Sequence, residues 1–325
     1  MLRRRRFGMK ALPILKKVAV SILTALFVSF LTYGLLYISP GDPADLILSS
    51  KLGGMGLQKE VVMQYAEILG LNKGFFPMYR DWFVNMLHGD LGTSYLTGYP
   101  VIKDFVSRIG VSAQLALMST AISLVLGVTL GILSGRRRNS FIDRFSRFYS
   151  SVSLSVPSFW LAILFLWLFA LKLGWFPIAD YQGIKSLILP AVVMGVSGCA
   201  SLIRVTRSGI LDNLSEGYVV TARARGLNDR QVFLGHILKN VMLPVVTMVT
   251  SNLISHIGGS VIIENVFSLP GVGNFLLRAI KLKDFPAILG FVFLMGMIVV
   301  VLTTIADLLY MAIDPRVRQG MYEKR

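Results

Sequence analysis

Long apolar blocks alternate along this chain with short polar segments, many of them basic. A helix needs about 20 mostly apolar residues to cross the hydrocarbon core of a bilayer. Six stretches meet or approach that length: 18–38, 111–135, 148–171, 186–203, 241–263 and 285–306. The pattern predicts an all-α, polytopic membrane helical bundle of six transmembrane helices. The fourth stretch is the shortest, and Pro190, Gly195 and Gly198 weaken its helical signal; a membrane tolerates such residues where neighbouring helices cover the freed backbone groups. Pro157, in the run SVPSFW, predicts a kink in the third.

Two polar segments carry structure of their own. The large loop 39–110 contains the helix-like run QKEVVMQYAEILGL, in which Val61, Val62, Tyr65, Ile68 and Leu69 recur near helical spacing. It is expected to fold against one membrane face, either as a covering cap or as a docking surface. In the loop 206–240, Tyr218, Val219, Ala222 and Leu227 alternate with Arg223 and Arg225, and Asn228 and Asp229 offer a helix cap after Gly226. That spacing predicts two short helices meeting at a glycine bend. A basic amphipathic turn lying on anionic lipid would use the same residues.

Charge fixes the expected orientation. Of 33 Lys and Arg, 22 fall at the N-terminus, in 136–147, in 204–239 or in the tail from 316. Cytoplasmic segments carry such an excess, so both termini are expected inside and 39–110 becomes a large extracytoplasmic loop. The expected divisions are a cytoplasmic segment 1–17, the first helix 18–38, the outer loop 39–110, a five-helix core 111–312 containing the inner loop 206–240, and a cytoplasmic tail 313–325. The N-terminus has a signal-like basic start, but its apolar run exceeds the usual h-region of about 7–15 residues and no A-x-A-like site follows, so it reads as an uncleaved span. Composition agrees with a membrane chain, being 54% hydrophobic and 15% charged. The formal charge of +16 does not imply nucleic acid, because no basic stripe with interleaved aromatics runs along a polar segment. The lone Cys199 cannot form an intrachain disulfide.

Reactive constellations are missing. There is no G-x-x-x-x-G-K-[ST], no H-E-x-x-H and no G-x-S-x-G, so the chain is expected not to be an enzyme and to carry no catalytic residues. His88, His236 and His256 are far apart in sequence, and no metal site is expected. Ion-coupled carriers place several ionisable groups in their spans, whereas here only His256 and Asp307 lie clearly at membrane depth; both read as structural groups ahead of substrate contacts. Glu264 and Asn265, at the outer end of the fifth span, are candidate gate or path residues, with an ordinary hydrogen-bonded helix end as the other reading. Ser119, Ser123, Gly127, Gly131, Ser151, Ser153, Ser155, Gly258 and Gly259 suit either close helix packing or a polar path.

The run YVVTARARGLNDRQV at 218–232, followed by HILKNVMLP, resembles the EAA loop of permease subunits in binding-protein-dependent ABC importers, in particular the peptide/nickel permease family. SPGDPA at 39–44, HGDLGTS at 88–94, IIENVFSLPGVG at 262–273, DFP at 284–286 and DPRVR at 314–318 match the same family in order, so the resemblance covers nearly the whole chain. It implies a coupling helix that sits in a cleft of a cytoplasmic ATPase, carried here by Thr221, Ala222, Arg223, Ala224, Arg225, Gly226 and Leu227. Val220 stands where the general motif has glutamate. The resemblance further implies a second homologous permease, cytoplasmic ABC ATPase subunits that bind the ATP and Mg, and an extracytoplasmic solute-binding protein, in a bacterial or archaeal plasma membrane. Di- or oligopeptides, or nickel or a metal chelate, are the implied substrates. An ATP-independent channel or secondary carrier is the alternative, and a lipid-binding scaffold a further one.

Overall fold

A computed structural model describes the backbone of residues 2–52, 58–178 and 181–313 and the side chains of residues 19–20, 22–52, 58–178 and 181–306. Asp307 as a side chain and the DPRVR run lie outside these. The described secondary structure is helical apart from one isolated bridge between Thr93 and Pro100. Thirteen α-helices follow one another: α1 Leu2–Ile38, α2 Pro43–Leu52, α3 Lys59–Ile68, α4 Phe75–Leu87, α5 Val101–Arg136, α6 Phe141–Ser155, α7 Ser158–Phe165, α8 Ile184–Leu214, α9 Gly217–Ala224, α10 Asp229–Val232, α11 Leu238–Val266, α12 Val272–Lys281 and α13 Phe285–Ile313. π-helical turns extend α7 to Lys172 and join α10 to α11 through Phe233–Ile237.

Among the described residues, four helices are long and apolar enough to cross a membrane, or up to six if two bent pairs each count as one span. The pairs are Ile22–Ile38 with Pro43–Leu52, bent by 78°, and Phe141–Ser155 with Ser158–Lys172, bent by 100°. The expected third span is thus broken where a kink was expected. Val156 takes an extended conformation, as the steric demand of the following Pro157 favours. Pro190 does the opposite of what its position implies, lying inside the unbroken 31-residue α8.

Packing divides the chain into two compact units. One takes the chain up to Gly110 together with Pro270–Thr304, and the other takes Val111–Leu269 together with the chain from Ile305. The first unit is built on aromatic contacts. Phe291 meets Phe105 and Phe275 at centroid distances of 5.1 and 4.9 Å, and the Arg108 guanidinium lies 4.2 Å from the Phe275 centroid. In α3, Ala66 is buried while Val61 and Ile68 are 43% and 78% exposed, so only part of the expected apolar stripe faces inward.

Three sequence-distant motifs meet in this unit. The buried Asp284 carboxylate accepts from Ser94 Oγ at 2.6 Å, from the Leu96 N–H at 3.0 Å and from the Ala287 N–H at 3.3 Å. Lys283 Nζ donates to the carbonyls of Ser39 and Gly41, and burial pushes its ammonium pKa down. Gly92, with φ +86°, lets the backbone pass so close to Pro286 that a Cβ would stand 3.2 Å from the proline's own. SPGDPA, HGDLGTS and DFP therefore form one knot that fixes the 91–100 turn on the start of α13.

In the second unit, small residues set the helix spacing. Gly127, Gly131 and Gly135 lie on one face of α5 and receive Leu202, Thr206 and Ile210 of α8, each within 3 Å of where a glycine Cβ would be. Gly195 of α8 in turn receives Ile122. This is the small-residue approach through which helices pack without water to drive them together.

Candidate functional site: the inner loop and a polar seam

α9 ends in a Schellman arrangement. The Gly226 N–H bonds to the Arg223 carbonyl at 2.9 Å and the Leu227 N–H to the Ala222 carbonyl at 3.3 Å, with Gly226 at φ +85°. Asn228 then opens α10 with a capping box, its side chain accepting from the Gln231 N–H while the Gln231 side chain accepts from the Asn228 N–H. Two short helices thus meet at the expected glycine bend. No atom lies within 4 Å of a Cβ placed on Gly226, so the demand for glycine there comes from backbone conformation and not from crowding.

The seven residues singled out in this loop divide by direction. Ala222 is buried and Leu227 half-buried, beside buried Val219, Val232 and Phe233. Thr221, Arg223, Ala224, Arg225 and Gly226 are exposed, as is Val220 at 67%. Gly217, Val220, Thr221 and Ala224 share one helical face, which is small, weakly apolar and uncharged. Beneath it, Tyr218 Oη donates to Asn213 Oδ1 at 2.6 Å, and Asn240 Nδ2 reaches both Asn213 Oδ1 and Tyr218 Oη, at 3.3 and 3.2 Å. These bonds tie α9 to the end of α8 and the start of α11. Arg223 is paired with Asp229 at 3.1 Å on the surface.

A buried polar seam runs along α11. Glu264 is fully buried and its Oε1 accepts from Ser112 Oγ at 2.6 Å and from Ser260 Oγ at 2.8 Å. His256 Nδ1 meets Thr120 Oγ1 at 2.9 Å, and Asn252 Nδ2 donates to the Gly198 carbonyl at 3.0 Å. A Cβ on Gly198 would stand 2.7 Å from Ser123 Oγ and 2.8 Å from His256 Nε2, so glycine there lets the seam close. The opposite face of α11 is open: Pro244, Thr247, Ser251, Ser255, Gly258, Ile262 and Asn265 are all exposed and recur every three or four residues. The two gate candidates consequently part company, with Glu264 held inside the seam and Asn265 on the open stripe. Sequence reading missed this stripe, although its signal, small and polar residues at heptad-like spacing in an apolar helix, was present.

Long apolar helices joined by a structured loop between α8 and α11 are those of a helical membrane protein. The chain belongs to the family of binding-protein-dependent transport system inner membrane components, whose model matches residues 127–319. It is 37% identical over 313 residues to a Brucella abortus (strain 2308) protein provisionally named a peptide transport system permease protein, covering 94% of this chain and 98% of the relative. It is 34% identical to the oligopeptide transport system permease protein AppB of Bacillus subtilis (strain 168), with 94% and 98% covered. The dipeptide transport system permease protein DppB of Alkalihalophilus pseudofirmus is 30% identical, with 89% and 94% covered. Two solved structures share the fold. One is an inward-facing MetNI methionine ABC transporter (TM-score 0.50, 16% identity, 66% of this chain and 97% of that one). The other is an amino acid ABC transporter (TM-score 0.53, 12% identity, 64% and 94%).

Proposed function

We propose that this chain is one of two permease subunits of an ABC importer for peptides, a multi-pass plasma membrane protein of six spans with both termini cytoplasmic. It works with a second homologous permease, cytoplasmic ATPases that hold ATP and Mg, and an extracytoplasmic solute-binding protein. The observation that carries this reading is the inner loop, whose α9 presents a small, uncharged face flanked by the exposed Arg223 and Arg225 while its inward face is tied down. Such a ridge fits a protein groove, and it is built to transmit force. α10 continues through its π-helical turn into α11 as one 38-residue helix, and the Tyr218–Asn240 hydrogen bond ties the ridge to it, so a displacement of the ridge is passed to α11 and its open stripe. Groove closure on ATP binding then favours one access state, provided the ATPase binds the two states with different affinity.

The open stripe from Thr247 to Asn265 lines the path, and Glu264 acts behind it as a structural post. Peptides are taken as the substrate class because the relatives above are named for them. Titrating the cognate binding protein with di- and oligopeptides and with Ni²⁺ separates this class from nickel, which the family resemblance also implies.

The test is uptake in proteoliposomes containing both permeases, the ATPases and the binding protein. Peptide uptake that needs ATP, and no ATP hydrolysis by this chain alone, is the expected result. Uptake that persists without the ATPases overturns the reading in favour of a channel or secondary carrier.

A further inference from the structure

Between α6 and α8 lies a cavity of about 400 Å³ lined by Ser146, Arg147, Ser150, Ser151, Arg204, Arg207 and Ser208 with two apolar neighbours. Two features make it more than a groove. First, Ser146 and Ser150 are at least 99% buried, and neither hydroxyl has a hydrogen-bond partner. A buried hydroxyl without a partner is uncommon in a folded protein and leaves a donor that a bound group can satisfy. Second, the charge is unbalanced. Arg207 is spent on the buried Asp143, with Nε at 2.6 Å and Nη2 at 3.1 Å. Arg147 stands 3.8 Å from the same carboxylate and is 53% exposed, and Arg204 is exposed with no ion-pair partner among the described residues. Two guanidinium groups thus share the Asp143 carboxylate and a third, Arg204, joins them in the cavity lining, alongside Ser146 and Ser150.

That donor set suits a singly charged phosphate diester, which accepts from both hydroxyl and guanidinium groups. The basic residues belong to the two segments, 136–147 and 204–239, whose charge assigns them to the cytoplasmic side, where anionic lipid headgroups meet the protein. Phe141, Phe145, Phe148 and Val152 form an exposed apolar stripe on α6, which places this helix beside acyl chains. We infer that the cavity is a binding site for the phosphate of an anionic phospholipid of the inner leaflet. The bound headgroup satisfies Ser146 and Ser150 and holds α6 against α8.

The test uses the purified importer complex in detergent and native mass spectrometry with phosphatidylglycerol, phosphatidylcholine and inorganic phosphate as probes. Removing the hydroxyls by Ser146→Ala with Ser150→Ala leaves no new unpaired group, so this variant folds; Arg204→Gln is the second. Phosphatidylglycerol is expected to be retained in preference to phosphatidylcholine, each variant to lower its retention about tenfold, and millimolar phosphate not to displace it. Equal retention of the two lipids, or retention unchanged by both variants, overturns the site. Complete displacement by inorganic phosphate overturns the lipid as its source. A photo-crosslink in native membranes from a photoreactive residue at Ser151 to the second permease also overturns it, because the cavity is then an inter-subunit surface.

Discussion

Among single residues, several buried groups that hold this protein together have partners distant in sequence. Asp284 satisfies Ser94, Leu96 and Ala287 at once, the first of them 190 residues away. Asp284→Ala would strand these donors in a buried site, at a cost of about 3 kcal/mol; thermal unfolding in detergent should show a clearly lowered midpoint, and an unchanged midpoint would mean the knot is not under tension from these bonds. Asp284→Asn, which keeps an acceptor, should recover part of the loss. Nothing local predicts this knot. SPGDPA, HGDLGTS and DFP were each visible as motifs, but pattern along a chain does not say which turn meets which. Gly226 was the opposite case. Its bend, its helix end and the Asn228 cap were legible because each depends on neighbours within a few residues.

At the element scale, hydropathy located the long helices and could not fix their course. Pro157 and Pro190 look alike in sequence, yet one stands at a 100° break and the other inside a continuous helix, because neighbouring side chains decide whether the freed carbonyl finds a partner. Composition likewise could not separate packing glycines from open ones. A Cβ on Gly131 would stand 2.5 Å from Thr206 Cβ, whereas Gly258 has nothing within 4 Å. Gly131→Leu should therefore overpack the α5–α8 contact by about 1–3 kcal/mol or more and reduce the yield of folded protein. Gly258→Ala should leave yield unchanged or slightly raised, since alanine favours a helix by up to about 1 kcal/mol. Equal yields from Gly131→Leu and the parent would show that α5 and α8 are not in close contact. On the open stripe, Ser255→Trp should preserve folding and block uptake; full uptake by that variant would move the path away from α11.

Across the whole molecule, the loop between α8 and α11 is the proposed junction with an ATPase. The helical ridge from Gly217 to Ala224 is exposed on one face and anchored on the other, and its aim depends on the positive φ of Gly226. A β-branched residue there should cost about 1–2 kcal/mol locally and tilt the ridge, while Arg223→Ala, which removes only an exposed ion pair, should cost less than about 1 kcal/mol. The most direct measurement places a photo-crosslinking residue at Val220 in native membranes and identifies what it captures, with and without Gly226→Val. Capture of a cytoplasmic ATPase, strongly reduced by Gly226→Val while the amount of membrane-inserted chain stays constant, is the predicted result. Capture of lipid alone, unaffected by that substitution, would contradict the coupling of this chain to an ATPase.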